Sequence, residues 1–409
     1  MTETPHLDSN TLLEAALVEA ASQRWFPTAW PTTGWEQSSV LVLEEGTATQ
    51  PTTAILVGRP TATGPWLQLP ILVHADGSVT DATESFDFWR LWLQLATLTD
   101  ARTPGELAAA NALGKEQSNS SFSLTFEGGE QWVAKIFRIV YPGDNPDVEL
   151  PLALLANGFT AAAPVRAYTM LPLPTGEPFC SGVATMLVPN DGTAYDYFLQ
   201  LAARGADPTP DAYNLGLLLG QMDQALQQIP IAEPPGANWA QVRTALGQAA
   251  RETASMAQFS AQGTQRLEAE LDRLCADLPQ PKFSRVHGDL HLGQILHGND
   301  GNWTIIDFEG EPLRDLAQRQ QPDFRLRDLA GMLRSFHYAG PEDREWAEAA
   351  RDAFLKGFTT TSSIDPETDG RLLQLLELEK ALYEVRYEVQ FRPTWLHIPL
   401  RTISPLLGE

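Results

Sequence analysis

Residues 285–310 read RVHGDLHLGQILHGNDGNWTIIDFEG, and this segment decides the fold class of the chain. It places an aspartate directly after His-Gly (Asp289), an amide five residues later (Gln294) and a second aspartate after an apolar run (Asp307). Phosphoryl transfer requires an anion that orients the acceptor hydroxyl, and oxygen ligands that hold Mg²⁺ against the nucleotide phosphates. We therefore predict Asp289 as the catalytic base, with Gln294 and Asp307 as the Mg²⁺ ligands.

The residues between these groups predict a β-hairpin. An apolar pair at 295–296, a run of turn formers at 297–302 and an apolar run at 303–306 are typical of two short strands joined by a tight turn. Such a hairpin would return Asp307 to the side of Asp289 and Gln294. A surface hairpin with ordinary turn carboxylates is the alternative, but the complete ordered set favours the catalytic interpretation.

Three more side chains of this segment are candidates. Glu309 would point to the same side as Asp307 if the chain stayed extended, where it could bind the metal or a substrate hydroxyl. His287 and His291 have the spacing of a zinc pair, but no third ligand has a matching position. We predict instead that His287 is a hydrogen-bond donor that fixes the loop around Asp289.

Composition excludes several classes of protein. The chain has 409 residues, of which 43% are hydrophobic, so two or three subdomains are expected. It has 52 acidic and 28 basic side chains, a net charge of −24, which argues against nucleic-acid or anionic-membrane partners. No run of eighteen apolar residues and no basic signal region occur, and the two cysteines, Cys180 and Cys275, have no metal-ligand spacing. A reducing cytoplasm is the expected location.

The pattern of elements predicts an α+β chain in three parts. Residues 1–102 form a small N-terminal cap subdomain, 103–190 a strand-rich intermediate subdomain, and 191–409 a helical lobe with the 285–310 segment. A strand-rich lobe followed by a helical one is the layout of a bilobal protein-kinase-like fold. The predicted helices lie at 9–22, 84–98, 193–203, 211–228, 237–257, 263–276, 326–338, 342–357 and 366–391. The predicted strands lie at 39–45, 53–58, 67–73, 122–126, 131–137 and 181–188.

Lys135 is the candidate for a phosphate-binding residue. It lies in a Val-Ala-x-Ile setting on a predicted strand, where a lysine without a ligand would be awkward to bury. Its helix partner should be an acid, and Glu149 is the best choice because Pro146 can open a helix. The polar loop at 117–121, which includes Ser118, could cover phosphates through hydroxyls and backbone N–H groups, although it lacks glycines.

The segment EKALYEVRYEVQFRPTWLHIPL at 379–400 is the candidate acceptor site. Carboxylates and aromatic rings together suit a sugar, because hydroxyls need acceptors and the apolar faces of a pyranose stack on rings. An amphipathic helix with solvated i,i+4 charge pairs would show nearly the same pattern. On a helix, the side chains near one face would be those of Lys380, Glu384, Tyr387 and Glu388, with Tyr383 adjacent.

Several motifs together resemble those of the maltokinase family, which phosphorylates maltose with ATP. The resemblance covers nearly the whole chain. The motifs are QRWF near the N-terminus, EQSNSS, KIFR followed by PGDNPDVEL, HGDLHLGQ, IDFEGEP, RDLAGMLRSFHYA at 327–339, and KALYEVRYEVQFRPTWLHIPL.

This resemblance implies an aminoglycoside-phosphotransferase-like fold with an N-terminal cap, using ATP and Mg²⁺. It implies transfer of the γ-phosphoryl group to the anomeric hydroxyl of maltose for α-glucan synthesis, association with trehalose synthase, and a monomer or weak dimer. Residues 185–190 would be the hinge that contacts adenine through backbone groups. The residues implied are Asp289 as base; Gln294 and Asp307 as metal ligands; Lys135, Glu149, Ser118, Met186 and Val188 at the nucleotide; and His287, Glu309, Tyr383, Glu384, Tyr387, Arg392 and Trp395 at the sugar.

The sequence departs from the family pattern in ways that leave the sugar open. The chain is somewhat short, the segments 103–115 and 190–212 differ, and Asp223 stands where relatives often have a histidine. A kinase for glucosamine or another monosaccharide is the first alternative, since the acid-rich C-terminal helix would suit an ammonium group. A non-catalytic pseudokinase module is a remote alternative, because it would be expected to lose Asp289, Asp307 or Lys135.

Overall fold

The computed structural model divides the chain into two compact units. The first comprises Met1–Leu152 and Ala163–Leu187, and the second comprises Ala153–Ala162 and Val188–Glu409. The structure describes residues 9–408 except 24, 27–29, 36, 61–64, 101–103, 114–118, 233–235, 237, 312–313, 315, 341–342 and 366–367. No helix in this described part is long and apolar enough to cross a membrane.

The first unit contains two antiparallel sheets. One has the strand order β1-β2-β3-β4 with β9 paired to β3, and the other has the order β5-β10-β11-β8-β7-β6. Its elements are α1 (Ser9–Ala20), β1 (Gln37–Glu44), β2 (Thr52–Arg59), β3 (Trp66–Val73), β4 (Val79–Asp81), α2 (Phe86–Leu95), β5 (Thr97–Leu98), β6 (Leu107–Ala112), β7 (Asn119–Phe126), β8 (Gln131–Phe137), β9 (Ile139–Val140), β10 (Val165–Pro172) and β11 (Pro178–Met186), together with the start of α3 (Pro146–Ala156).

Strand β2 contributes to two hydrophobic cores because successive side chains point to opposite faces. Ala54 and Leu56 pack with the buried face of α1, whereas Ile55 and Val57 belong to a core that also contains Trp89 of α2. This double burial explains why the strand reads as a continuous apolar run. The same core holds β8, whose residues pair with β7 on one side and β11 on the other.

The second unit is mainly helical and contains two small sheets. One has the order β12-β14-β15, and the other pairs β13 with β16. Its elements are β12 (Asn190–Thr193), α4 (Ala194–Ala203), α5 (Thr209–Leu226), α6 (Trp239–Ala257), α7 (Ala261–Cys275), β13 (Phe283–Ser284), β14 (Ile295–Gly298), β15 (Trp303–Ile305), α8 (Leu316–Arg319), β16 (Asp323–Phe324), α9 (Arg327–Ala339), α10 (Arg344–Thr361), α11 (Asp369–Phe391) and α12 (His397–Leu407), with short 3₁₀ turns at Leu292–Gln294 and Pro393–Trp395.

The predicted helices and strands are present; one helix ends earlier than predicted, and the structure contains further elements that were not predicted. The predicted helix 84–98 ends at Leu95, because Ala96 is extended and Thr97–Leu98 pairs with β10 as β5. Strands β6 and β10 were not predicted, since their alternation is weak or interrupted. Helix α11 ends at Phe391, directly before Arg392 and Pro393, and α12 is a separate helix.

The predicted lobe boundary at 190 falls close to the change of unit between Leu187 and Val188. The predicted division of 1–102 from 103–190 stays a prediction: the first segment and most of the second belong to the first unit, whereas residues 153–162 belong to the second unit. They also exchange strands: β5 joins the sheet of the second segment, and β9 joins the sheet of the first.

Candidate active site

The 295–306 hairpin brings two predicted metal ligands together. β14 pairs with β15 in the register Ile295 to Ile305, and the Ile306 N–H donates to the Gln294 carbonyl over 3.0 Å. As a result, the Gln294 amide donates through Nε2 to Oδ2 of Asp307 over 3.0 Å. The expectation that a hairpin returns Asp307 to Gln294 is therefore confirmed.

Asp307 has a left-handed backbone, with φ of 64°. This conformation is uncommon for a residue other than glycine, and such strain tends to be found at functional sites. The chain turns at residues 308–309, so the premise that it stays extended as far as Glu309 is wrong. The turn nevertheless brings the Glu309 and Asp307 carboxylates within 4.8 Å of each other. These carboxylates and the Gln294 amide offer hard oxygen atoms, the ligand chemistry that fits Mg²⁺.

The loop that carries Asp289 is held from below by Asp328, the second residue of α9. The Asp328 carboxylate accepts the backbone N–H groups of His287 over 2.8 Å and of Gly288 over 2.9 Å. Burial raises the pKa of Asp328, although His287 and the two N–H donors act in the opposite direction. Gly288 has φ of 88°, and a Cβ there would lie 3.2 Å from the Cα of Gly310, so glycine is required for this close approach.

Sequence reasoning missed Asp328, although its motif was quoted as part of the resemblance. The available signal was an aspartate in the first turn of a helix, on the face that also carries apolar residues. A buried acid needs several donors, so this position predicts a nearby backbone segment with N–H groups to satisfy.

His287 connects the Asp289 loop to the strand before Asp307. Its ring is 1% exposed, and Nε2 lies 3.0 Å from the Ile306 carbonyl. Because a carbonyl can only accept, Nε2 carries the proton, and Nδ1 can then accept the Asp289 N–H over 3.4 Å. His287 thus makes hydrogen bonds of the loop-fixing kind that we predicted, and its place at the sugar stays a prediction.

His291 forms a hydrogen bond within its own turn. Its Nδ1 accepts the Gly293 N–H over 3.0 Å, and burial lowers the pKa of the imidazole. Within the described part of the chain, neither histidine belongs to a group of potential metal ligands. The geometry therefore gives no support to a zinc site.

A pocket of about 150 Å³ opens beside Asp289 in the second unit. The Asp289 carboxylate accepts a hydrogen bond from Lys380 Nζ over 3.2 Å, and this ammonium also lies 5.1 Å from the centre of the Tyr383 ring. Burial alone would lower the pKa of Lys380, but the neighbouring carboxylates, Asp289 first, outweigh it and raise the pKa. The charged side chains that line the pocket are Asp289, Glu311, Arg327, Glu379, Lys380 and Arg386.

Helix α11 divides the predicted sugar-side residues into two groups. Glu384 is 8% exposed and is paired with the buried guanidinium of Arg334 on α9, so the structure gives it a partner inside the protein. Glu388 is 1% exposed; its Oε1 accepts from the Tyr338 hydroxyl over 3.1 Å and from Arg392 over 2.8 Å. Both acids therefore lie on the buried side of the helix.

The aromatic residues of this region form a connected group. The Tyr383 and Tyr387 rings are stacked with centroids 6.2 Å apart, and the Arg392 guanidinium lies 5.0 Å from the Tyr387 ring and 4.8 Å from the Trp395 ring. The structure thus brings Tyr383, Tyr387, Arg392 and Trp395 together, and their contact with a sugar stays a prediction. Of these four residues, Tyr383 lines the pocket beside Asp289.

On the nucleotide side, described within the first unit alone, Lys135 donates to Oδ2 of Asp147 over 3.0 Å. Asp147 lies in the first turn of α3, two residues before the predicted partner Glu149, and its side chain is 8% exposed. Asp147 was not chosen from the sequence, because two acids in one helical turn cannot be ranked by spacing. The role of Glu149 stays a prediction, and Ser118 lies outside the described residues.

The predicted hinge residues have defined backbone partners. The Met186 N–H donates to the Pro164 carbonyl over 2.8 Å, which continues the pairing of β10 with β11. The Val188 carbonyl accepts from the Asn190 amide over 2.8 Å. Their contact with adenine stays a prediction.

Asp223, which replaces a histidine of the resembled family, has a structural role. It is 5% exposed and forms an ion pair of 2.7 Å with Arg325, which also donates to Ser362 at the end of α10. This buried network ties α5 to α10, so the departure changes internal packing and does not by itself identify a ligand.

Comparison with known proteins places the chain in a family. Residues 109–363 match the model of APH, the phosphotransferase enzyme family. A protein named glucosamine kinase from Streptacidiphilus jiangxiensis is 27% identical over 337 residues, which is 72% of each chain. One of the same name from Mycolicibacterium smegmatis (strain ATCC 700084 / mc(2)155) is 28% identical over 137 residues, 30% of this chain and 34% of that protein.

Solved structures confirm the fold class. A glucosamine kinase in complex with glucosamine, ADP and inorganic phosphate aligns with a TM-score of 0.73 at 21% identity, over 98% of this chain and 99% of the other. Crystal form B of a glucosamine kinase gives the same TM-score at 22% identity, over 97% and 99% of the two chains. The predicted α+β, aminoglycoside-phosphotransferase-like fold is thus confirmed. The chain belongs to the phosphotransferase enzyme family and is an ATP-dependent enzyme that transfers a phosphoryl group to a hydroxyl acceptor.

Proposed function

We propose that the acceptor of this phosphotransferase is a monosaccharide, with the amino sugar glucosamine as the first candidate. The observation that carries the proposal is the pocket of about 150 Å³ against Asp289, whose wall is rich in charged groups. Glu311 and Glu379 on its wall are acceptors for hydroxyl or ammonium groups. The names of the related proteins support the same choice.

In this proposal Asp289 acts as the base. Its carboxylate accepts the proton of the sugar hydroxyl while the hydroxyl oxygen forms a bond to the γ-phosphorus of ATP. The bond between that phosphorus and the bridging oxygen breaks, and ADP leaves with the electron pair. The contacts of Asp328 and His287 with the loop keep the carboxylate in place, so little reorganisation is needed during transfer.

Gln294 and Asp307 would hold Mg²⁺, which when bound supplies positive charge to the phosphate oxygens. The hydrogen bond between these two side chains and the constrained backbone of Asp307 keep both groups together. Glu309 would complete the carboxylate set or accept from a substrate hydroxyl. In the first unit, Lys135 would bind phosphate oxygens, with Asp147 holding its ammonium in place.

Maltose is the second candidate, and a different observation favours it. Beyond Tyr383, the rings of Tyr387 and Trp395 and the guanidinium of Arg392 form a stacked group along the end of α11. Aromatic faces of this kind would suit the second ring of a disaccharide. The motifs that resemble maltokinase include these residues. Association with trehalose synthase, the oligomeric state and a cytoplasmic location stay predictions.

A coupled ADP-release assay with glucosamine, maltose, glucose and aminoglycosides tests the proposal. We expect turnover with glucosamine to exceed that with the other acceptors, and ³¹P NMR of the product should show a sugar phosphate. Asp289→Asn serves as the inactive control, and the ADP that it releases is subtracted as background ATP hydrolysis. Turnover with maltose alone would replace the first candidate by the second. Absence of transfer to every sugar would refute a sugar acceptor.

A further inference from the structure

We infer that Lys380 is a positioning residue for Asp289, holding one carboxylate oxygen so that the other faces the acceptor hydroxyl. The inference rests on the proposed function, since it concerns the same pocket. Lys380 Nζ lies 3.2 Å from Oδ1 of Asp289, and the two side chains are 27% and 20% exposed. A contact this sheltered is screened less by solvent than a surface ion pair.

The ammonium is held from two sides. The Asp289 carboxylate binds it, and the Tyr383 ring lies 5.1 Å from it, an arrangement that stabilises a cation through the ring face. Both Lys380 and Tyr383 project from α11, so their spacing is set by one rigid helix. The Asp289 loop is fixed separately by α9 through Asp328.

Helix α11 is itself anchored at this point. One turn after Lys380, Glu384 forms its buried ion pair with Arg334 of α9, and Ala381 and Leu382 are fully buried in the core. The backbone of Lys380 therefore has little freedom to move. A lysine on an anchored helix can fix the direction of a carboxylate on a loop, which a solvent-exposed side chain could not do.

The other two cations on the described pocket wall have different partners. Arg327 pairs with Asp323 over 2.6 Å and with Glu379 over 3.2 Å, while Arg386 pairs with Glu252 over 2.9 Å. Lys380 is thus the cation of this wall that contacts Asp289. Its ammonium has three N–H donors and no acceptor, so the hydrogen bond to Oδ1 leaves Oδ2 as the oxygen that can take the hydroxyl proton.

The test combines Lys380→Met, Lys380→Arg and Asp289→Asn in one cycle of steady-state kinetics. We expect Lys380→Met to lower kcat about 10-fold or more with the KM for ATP changed less than about twofold, because the lysine acts on the base and not on the nucleotide. Lys380→Arg should recover part of the loss. Arg371→Met, which removes a cation of the same helix bonded to the Ala276 carbonyl, is the matched control and should keep wild-type kinetics.

Non-additivity separates a positioning role from a general structural one. In the Asp289→Asn background, Lys380→Met should change kcat by less than about twofold, since the group it acts on is already lost. An additive loss, or a Lys380→Met variant with near-normal kcat, would overturn the inference.

The same variants are also compared by urea unfolding, which needs no acceptor. If the pair forms, the decrease in the urea midpoint of the double variant should be smaller than the sum of the decreases in the two single variants. If the wild-type enzyme phosphorylated no sugar, the proposed function would be refuted. The unfolding measurements would still test whether Lys380 and Asp289 interact. Independent losses would then overturn the Lys380 inference, whereas coupled losses would support it.

Discussion

The 285–310 segment and helix α11 carry the two halves of the candidate acceptor site. The contacts of the first can be predicted from the sequence in more detail than those of the second. In the first, ligand positions follow from local spacing, because a two-stranded hairpin allows few ways to arrange Gln294 and Asp307. In the second, periodicity marks a helix face but not which side faces another helix. Glu384 and Glu388 prove to be buried, and Lys380 reaches Asp289.

The largest expected effect lies in the first region. Asp289→Asn should lower kcat by about 10² or more and leave ATP binding nearly unchanged, because an amide cannot accept the hydroxyl proton. The measurement is steady-state kinetics with the best acceptor, together with nucleotide binding by calorimetry. Asp300→Asn is the matched control, since Asp300 lies in the same 285–310 segment and bonds its neighbour Asn302 through exposed contacts. Near-normal turnover of Asp289→Asn would exclude it as the base.

The second prediction asks whether the loop depends on helix α9. Asp328→Ala should lower the free energy of unfolding by roughly 2 kcal/mol, because two buried N–H groups lose their acceptor. It should also lower kcat about 10-fold, since the Asp289 loop is no longer fixed.

Asp328→Asn keeps one acceptor oxygen and should lie between the wild type and Asp328→Ala in both urea unfolding and kcat. If Asp328→Ala lost stability but kept wild-type kcat, the loop would be held sufficiently by His287 and Gly288 alone.

The two regions differ in how well their contacts can be predicted because the interactions act over different distances along the sequence. Hairpin, turn and cap signals act over a few residues, so the 295–306 hairpin, α9 and α11 are all predictable, and the fold class follows from their order. The contact of Lys135 with Asp147 depends on how α3 lies beside β8, which is decided by packing. The role of Asp328 depends on a loop 40 residues away in sequence.

The third prediction concerns the buried side of α11. Glu384→Gln should lower the free energy of unfolding by about 3 kcal/mol, because it leaves the buried Arg334 guanidinium without its counter-charge. The change is measured by urea unfolding. Glu268→Gln breaks the more exposed pair with Arg251 and should cost less than about 1 kcal/mol. A raised KM for the acceptor with unchanged stability would instead indicate that Glu384 contacts the sugar.

The smallest effect concerns the pH dependence of the network behind α11. Burial, together with Arg334 and Arg351, lowers the pKa of His337 to about 2, against 6.5 for an ordinary imidazole. The unfolded chain therefore binds a proton below about pH 6.5 that the native state does not, so stability falls as pH falls through that region. Between pH 7 and 5.5 this group should lower the free energy of unfolding by roughly 1 kcal/mol, measured by urea unfolding at both values.

His337→Gln should lose correspondingly less stability on acidification, whereas His397→Gln, which removes an exposed imidazole on α12, should lose as much as the wild type. Equal losses in His337→Gln and the wild type would show that the imidazole is not kept neutral by the helices around it.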